Sequence, residues 1–127
     1  MIARRPAAVV LGFALLIVSL AAANACEVRL SRNWSAVRGG FGTITMARDG
    51  PPCGATIHAH RLEKSSVQAL RLAGAPAHGE VRIEGAAFWY RPNPGFVGED
   101  RFGLVGLGTN ADGRPLRVRG TITVLVR

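Results

Sequence analysis

The chain has 127 residues, 48% of them hydrophobic, with 16 Lys and Arg against 8 Asp and Glu and a formal net charge of +8. That length allows one small domain. The apolar content and the lack of a three-residue glycine period exclude a disordered or collagen-like chain, and the placing of the long apolar run at one end excludes a polytopic membrane protein.

Arg4 and Arg5 precede an uncharged run over residues 7–20, which ends in Ala21-Ala22-Ala23-Asn24-Ala25. A basic start, a short apolar stretch and small residues at Ala23 and Ala25 form the pattern of a signal peptide over residues 1–25, cleaved before Cys26. The run is short against the roughly 20 residues of a membrane-spanning helix, so an uncleaved anchor is the weaker reading and no stable transmembrane segment is expected after processing. Cysteine at the first mature position opens a second alternative, lipidation of Cys26, but Ala23-Asn24-Ala25-Cys26 lacks the large aliphatic residue such sites carry three places earlier. Removing residues 1–25 leaves 102 of the 127 residues and 14 of the 16 basic side chains, so the mature domain, residues 26–127, stays strongly basic. The expected location is periplasmic or secreted.

An exported domain meets an oxidising compartment, where an even cysteine count is normally paired. The two cysteines, Cys26 and Cys53, are therefore expected to form one disulfide.

Beyond Cys26 no segment sustains a 3.6-residue apolar period, and Gly or Pro interrupts the chain about every ten residues. A short strand is expected over 26–30, followed by strands over 42–47, 55–60, 67–72, 80–84, 87–91, 101–107 and 116–126. The last is the clearest. Leu116, Val118, Ile122, Val124 and Val126 take one face and Arg117, Arg119, Thr121 and Thr123 the other, with Gly120 on the apolar side as a bulge or a close backbone contact. Turns are legible at Asp49-Gly50-Pro51-Pro52, Gly74-Ala75-Pro76, Glu84-Gly85, Pro92-Asn93-Pro94-Gly95 and Asn110-Ala111-Asp112-Gly113. About seven short alternating strands in roughly 100 residues predict an all-β antiparallel sandwich.

Three stretches carry a family pattern: Pro76-Ala77-His78-Gly79, then Tyr90-Arg91-Pro92, then Gly95-Phe96-Val97-Gly98-Glu99-Asp100-Arg101-Phe102. With the alternating Thr121-Ile122-Thr123-Val124-Leu125-Val126, the chain over residues 75–127 resembles the bacterial cadherin-like, immunoglobulin-like domains. The resemblance implies an immunoglobulin-like sandwich and a cell-envelope or extracellular module that recognises surfaces or acts structurally, without catalysis. It implies inward Tyr90 and Phe102, a crossover through Gly95 and Gly98 that folds Phe96 over the end of the sandwich, and an Asp100 that accepts backbone N–H bonds in the turn before its strand. The acidic clusters of calcium-binding relatives have no counterpart, because Asp49, Glu99, Asp100 and Asp112 are scattered.

Few motifs point to chemistry. Gly106-Leu107-Gly108-Thr109-Asn110-Ala111 fits a dinucleotide fingerprint in letters, but Asp112-Gly113-Arg114-Pro115 cannot continue as the helix that fingerprint requires, so a hairpin loop is expected. No arrangement of nucleophile, base or paired carboxylates stands out, and neither an enzyme nor a cofactor is expected. His58 and His60 alternate on one predicted strand and project from one face; with His78 they form the alternative reading, a small periplasmic metal-binding protein. Arg82, Arg91, Arg101, Arg117 and Arg119 are expected to point outward, and guanidinium groups bind carboxylate and phosphate bidentately.

Phe88-Trp89-Tyr90 cannot all enter a core from one strand. With Phe88 and Tyr90 inward, Trp89 faces out beside Arg82 and Arg91 as a partner-binding surface for an envelope or extracellular protein or a polyanionic glycan, not for nucleic acid. The competing expectation is that Trp34 or arginine stems cover Trp89.

Overall fold

A computed structural model describes residues 26–32, 34–59 and 66–127, and all regular structure in it is β. The predicted leader, residues 1–25, lies outside the described residues. No helix among the described residues is long and apolar enough to cross a membrane.

Eight strands form: β1 (Glu27–Leu30), β2 (Gly40–Met46), β3 (Cys53–Thr56), β4 (Ser66–Gly74), β5 (Gly79–Glu84), β6 (Ala87–Pro92), β7 (Gly98–Thr109) and β8 (Pro115–Val126). They build a sandwich of a five-stranded sheet in the order β1-β2-β8-β7-β4 and a three-stranded sheet in the order β3-β6-β5. β4, β7 and β8 lie side by side as strands C, F and G do in an immunoglobulin domain, and β3, β6 and β5 as strands B, E and D. The expected all-β sandwich is therefore present. One pairing departs from it, because β2 and β8 run parallel, with Gly40 opposite Gly120 and Met46 opposite Val126. No hairpin joins these two strands, so nothing in their connection imposes an antiparallel direction.

Alternation places the apolar face of each strand between the sheets. Ile44, Phe88, Tyr90, Leu104, Ile122 and Val124 are fully buried there. Phe102 joins the two sheets, stacked on Tyr90 with ring centroids 5.9 Å apart and edge-on to Phe88 at 5.8 Å. The β8 pattern holds as expected, with Val118, Ile122, Val124 and Val126 buried and Arg117, Arg119 and Thr121 exposed.

Gly120 is not a bulge, since its register with Leu104 is regular. It and its parallel partner Gly40 leave room for the buried Trp34, whose indole ring occupies the space that a Cβ at either glycine would take. The same end is tied by the Cys26–Cys53 disulfide, with Cα atoms 5.7 Å apart.

At the other end the residues of the family-like pattern converge on one carboxylate. Asp100 is 4% exposed. Its Oδ1 accepts the N–H groups of Ala77 (3.0 Å) and Arg101 (2.9 Å); its Oδ2 accepts the N–H of His78 (3.0 Å) and the Tyr90 hydroxyl (2.7 Å). Two of its backbone donors thus come from the turn before β5, not from the turn before its own strand as expected. Phe96 folds back over this end, stacked on His78 at 4.4 Å, with Gly95 and Gly98 at positive φ on either side.

Burial alone would raise the Asp100 pKa, but the Tyr90 hydroxyl and the N–H groups of Arg101, His78 and Ala77 hold it below its ordinary value. The Tyr90 hydroxyl is pushed up, by burial first and by its bond to the Asp100 carboxylate second.

Candidate functional site

β6 presents Phe88 and Tyr90 to the core, and alternation turns Trp89 to the outer face of the three-stranded sheet. There it is half-buried, opposite Arg82 on β5 and opposite Gly54 on β3. A Cβ at Gly54 would run into the β6 backbone at Phe88, so the β3 side of the indole has no cross-strand side chain. The ring lines a surface groove of about 310 Å³ together with Pro52, Glu80, Val81, Arg82 and Arg91. Glu80 and Arg91 stand directly opposite each other across β5 and β6.

The expected grouping of Trp89, Arg82 and Arg91 is thus what the backbone register produces. Trp34 does not cover Trp89, because it is packed between the sheets against Gly40 and Gly120. Pro52, Gly54 and Glu80 complete the groove without having been singled out. The Glu80–Arg91 pairing follows from counting back from the Glu84-Gly85-Ala86 turn, a signal that the sequence does carry.

The histidines are arranged differently from the expectation. β3 covers Cys53–Thr56, not 55–60, because its partner β6 begins at Ala87, opposite Thr56. Ile57 makes one further bond to the Ala86 carbonyl, and then the ladder has run out. His58 therefore lies beyond the strand and exposed, and His60 lies outside the described residues. His78 stacks on Phe96 at the Asp100 end. Among the described residues no three His, Cys, Asp or Glu side chains gather closely enough to hold a metal ion.

The outward arginines divide between the two faces. Arg101 pairs with Glu99 at 3.2 Å, an exposed contact that mainly holds side-chain geometry. Arg117 and Arg119 stand on the outer face of the five-stranded sheet, on the opposite side of the molecule from Arg82 and Arg91. Gly106-Leu107-Gly108 belongs to the end of β7, and Asn110 closes the following turn by accepting the N–H groups of Asp112 and Arg114. The fingerprint letters are a hairpin loop.

The Asp100 carboxylate has two donors on each oxygen and so no lone pair open to an external proton or metal. Its surroundings make a structural latch between β7, β6 and the turn before β5. No family model matches the chain, and no curated protein matches it.

Proposed function

We propose that this chain is an exported, non-enzymatic immunoglobulin-like module that recognises a carboxylate-bearing glycan of the cell envelope at the groove around Trp89. The observation that carries the reading is the placing of a half-buried indole between two exposed guanidinium groups, above a closed core. A flat aromatic face stacks on a sugar ring, and Arg82 and Arg91 supply forked donors for a uronate carboxylate. The fixed β5–β6 register presents these groups preorganised, which lowers the ordering cost of binding. The Cys26–Cys53 disulfide fits an oxidising compartment, in keeping with the signal-peptide pattern of residues 1–25.

Tryptophan fluorescence titrated with polygalacturonate, against neutral dextran as control, tests this reading. Polygalacturonate should shift and quench the emission, Trp89→Ala should abolish the response, and Arg82→Ala or Arg91→Ala should weaken binding about tenfold or more, as loss of a charged hydrogen bond does. The melting transition of Trp89→Ala should stay within about 1 kcal/mol of the parent, since its ring is not part of the core. Equal responses to both polymers, or an undiminished response in Trp89→Ala, would overturn the assignment.

A further inference from the structure

The opposite face of the sandwich carries a second cluster whose composition differs from that of the Trp89 groove. Across β4, β7 and β8 the register sets Arg71, Val105 and Arg119 in one row and Ala69, Leu107 and Arg117 in the next. With strands about 4.8 Å apart and outward residues about 7 Å apart along a strand, Arg71 and Arg119 lie about 10 Å from each other and Arg117 about 7 Å from Arg119. Arg38 joins them, lining with Arg119 a groove that continues into the one beside Arg71 and Arg117. Among the described residues neither groove is lined by an acidic side chain, and none of these four arginines makes an ion pair. Val105 faces outward yet is only 5% exposed, flanked by the arginines on both neighbouring strands, whose stems are the groups placed to cover it.

Apolar side chains border the same cluster. Phe41 is 70% exposed and stands opposite Thr121, the next outward residue after Arg119. Val37 is 94% exposed in the turn just before Arg38, and Leu72 is exposed beside Arg71. A soluble polyanion neutralises the arginines and leaves Phe41 and Val37 in water. A bilayer interface accepts both, anionic headgroups taking the guanidinium groups and the acyl boundary taking the apolar ones.

We infer that the outer face of β4, β7 and β8 docks on an anionic lipid bilayer, with Arg71, Arg117 and Arg119 on the headgroups and Phe41 and Val37 inserted at the boundary. Because this face lies on the far side of the sandwich from Trp89, the module can hold a glycan and a membrane at once.

Co-sedimentation of the exported protein with vesicles tests the inference. Vesicles containing phosphatidylglycerol should bind the protein in a salt-dependent way, and pure phosphatidylcholine vesicles should not. Each arginine removed should weaken binding about fivefold, so Arg71→Ser/Arg117→Ser/Arg119→Ser should bind on the order of a hundredfold more weakly. Phe41→Ser should weaken vesicle binding while leaving binding to soluble polyphosphate unchanged. Trp89→Ala should bind vesicles as the parent does, which separates this result from the glycan reading. Equal binding to both lipids, a triple variant that binds like the parent with an unchanged circular dichroism spectrum, or a Phe41→Ser variant with full vesicle affinity would overturn it. The last result would assign the arginines to a soluble anionic polymer.

Discussion

Trp34 and Asp100 are both buried, one in the segment before β2 and the other at the start of β7, and they are held by opposite means. Trp34 is held by shape: its indole fits where Gly40 and Gly120 carry no side chain, and its Nε1–H finds no partner among the described residues. Asp100 is held by bonds, four donors meeting its two oxygens. The first arrangement depends on volume and is indifferent to pH. The second is polar, pH-dependent and exacting in geometry. Apolar fit thus secures the end where the chain's two distant segments meet, while a polar latch secures the end where three strands exchange turns.

The largest effect should come from emptying the indole site. Trp34→Ala removes a fully buried aromatic whose space the glycines cannot fill, and should cost about 3 to 5 kcal/mol in urea unfolding. A loss below about 1 kcal/mol would show that Trp34 packs without bearing on stability.

Next, replacing Cys26 and Cys53 together by Ser should cost about 3 to 4 kcal/mol by releasing a 27-residue separation in the unfolded chain. The same midpoint shift should appear when the parent protein is unfolded under reducing conditions. If reduction left the midpoint unmoved, the disulfide would be incidental to the fold.

The smallest and most diagnostic effect is at the polar end. Asp100→Asn puts an amide N–H₂ against N–H donors and should cost about 1.5 to 3 kcal/mol at neutral pH. Because the folded-state pKa of Asp100 is lowered, its contribution is present above the unfolded value of about 3.9 and is lost as pH falls through the folded value. The parent and Asp100→Asn should therefore converge in acid. Tyr90 has the opposite sign: its pKa is raised, so its contribution holds below about 10 and fades as pH rises beyond that, and Tyr90→Phe should lose the alkaline dependence. Parallel stability curves for parent and variants across the whole pH range would erase the distinction between the two ends.

What the sequence made legible was the content of strands, more than their partners. Phe88-Trp89-Tyr90 declares by alternation which rings go in and which goes out, and β8 declares its buried set in the same way. The pairing of two cysteines follows from their number and compartment. The parallel β2–β8 contact could not be read, because a period of two assigns a face and says nothing about a neighbour 80 residues away, as Gly40 is from Gly120. The position of β3 escaped for a related reason, since it ends where β6 has no further residue to offer. Arg71 was overlooked although Leu70-Arg71-Leu72 alternates like the later strands; only the register with Val105 and Arg119 shows that it belongs to a cluster.

β8 lies in the middle of the five-stranded sheet, with β2 on one side and β7 on the other. It is also the strand that a ribosome delivers after all the others. Until Pro115–Val126 has emerged, β1 and β2 have no sheet to join, Trp34 has no second glycine to rest against, and β7 has a bare edge. Synthesis therefore produces a chain whose closing contacts are its longest in sequence, a topology that folds slowly. Loss of β8 through an early stop would take out the strand that joins the two parts of the sheet, where loss of an edge strand would only trim it.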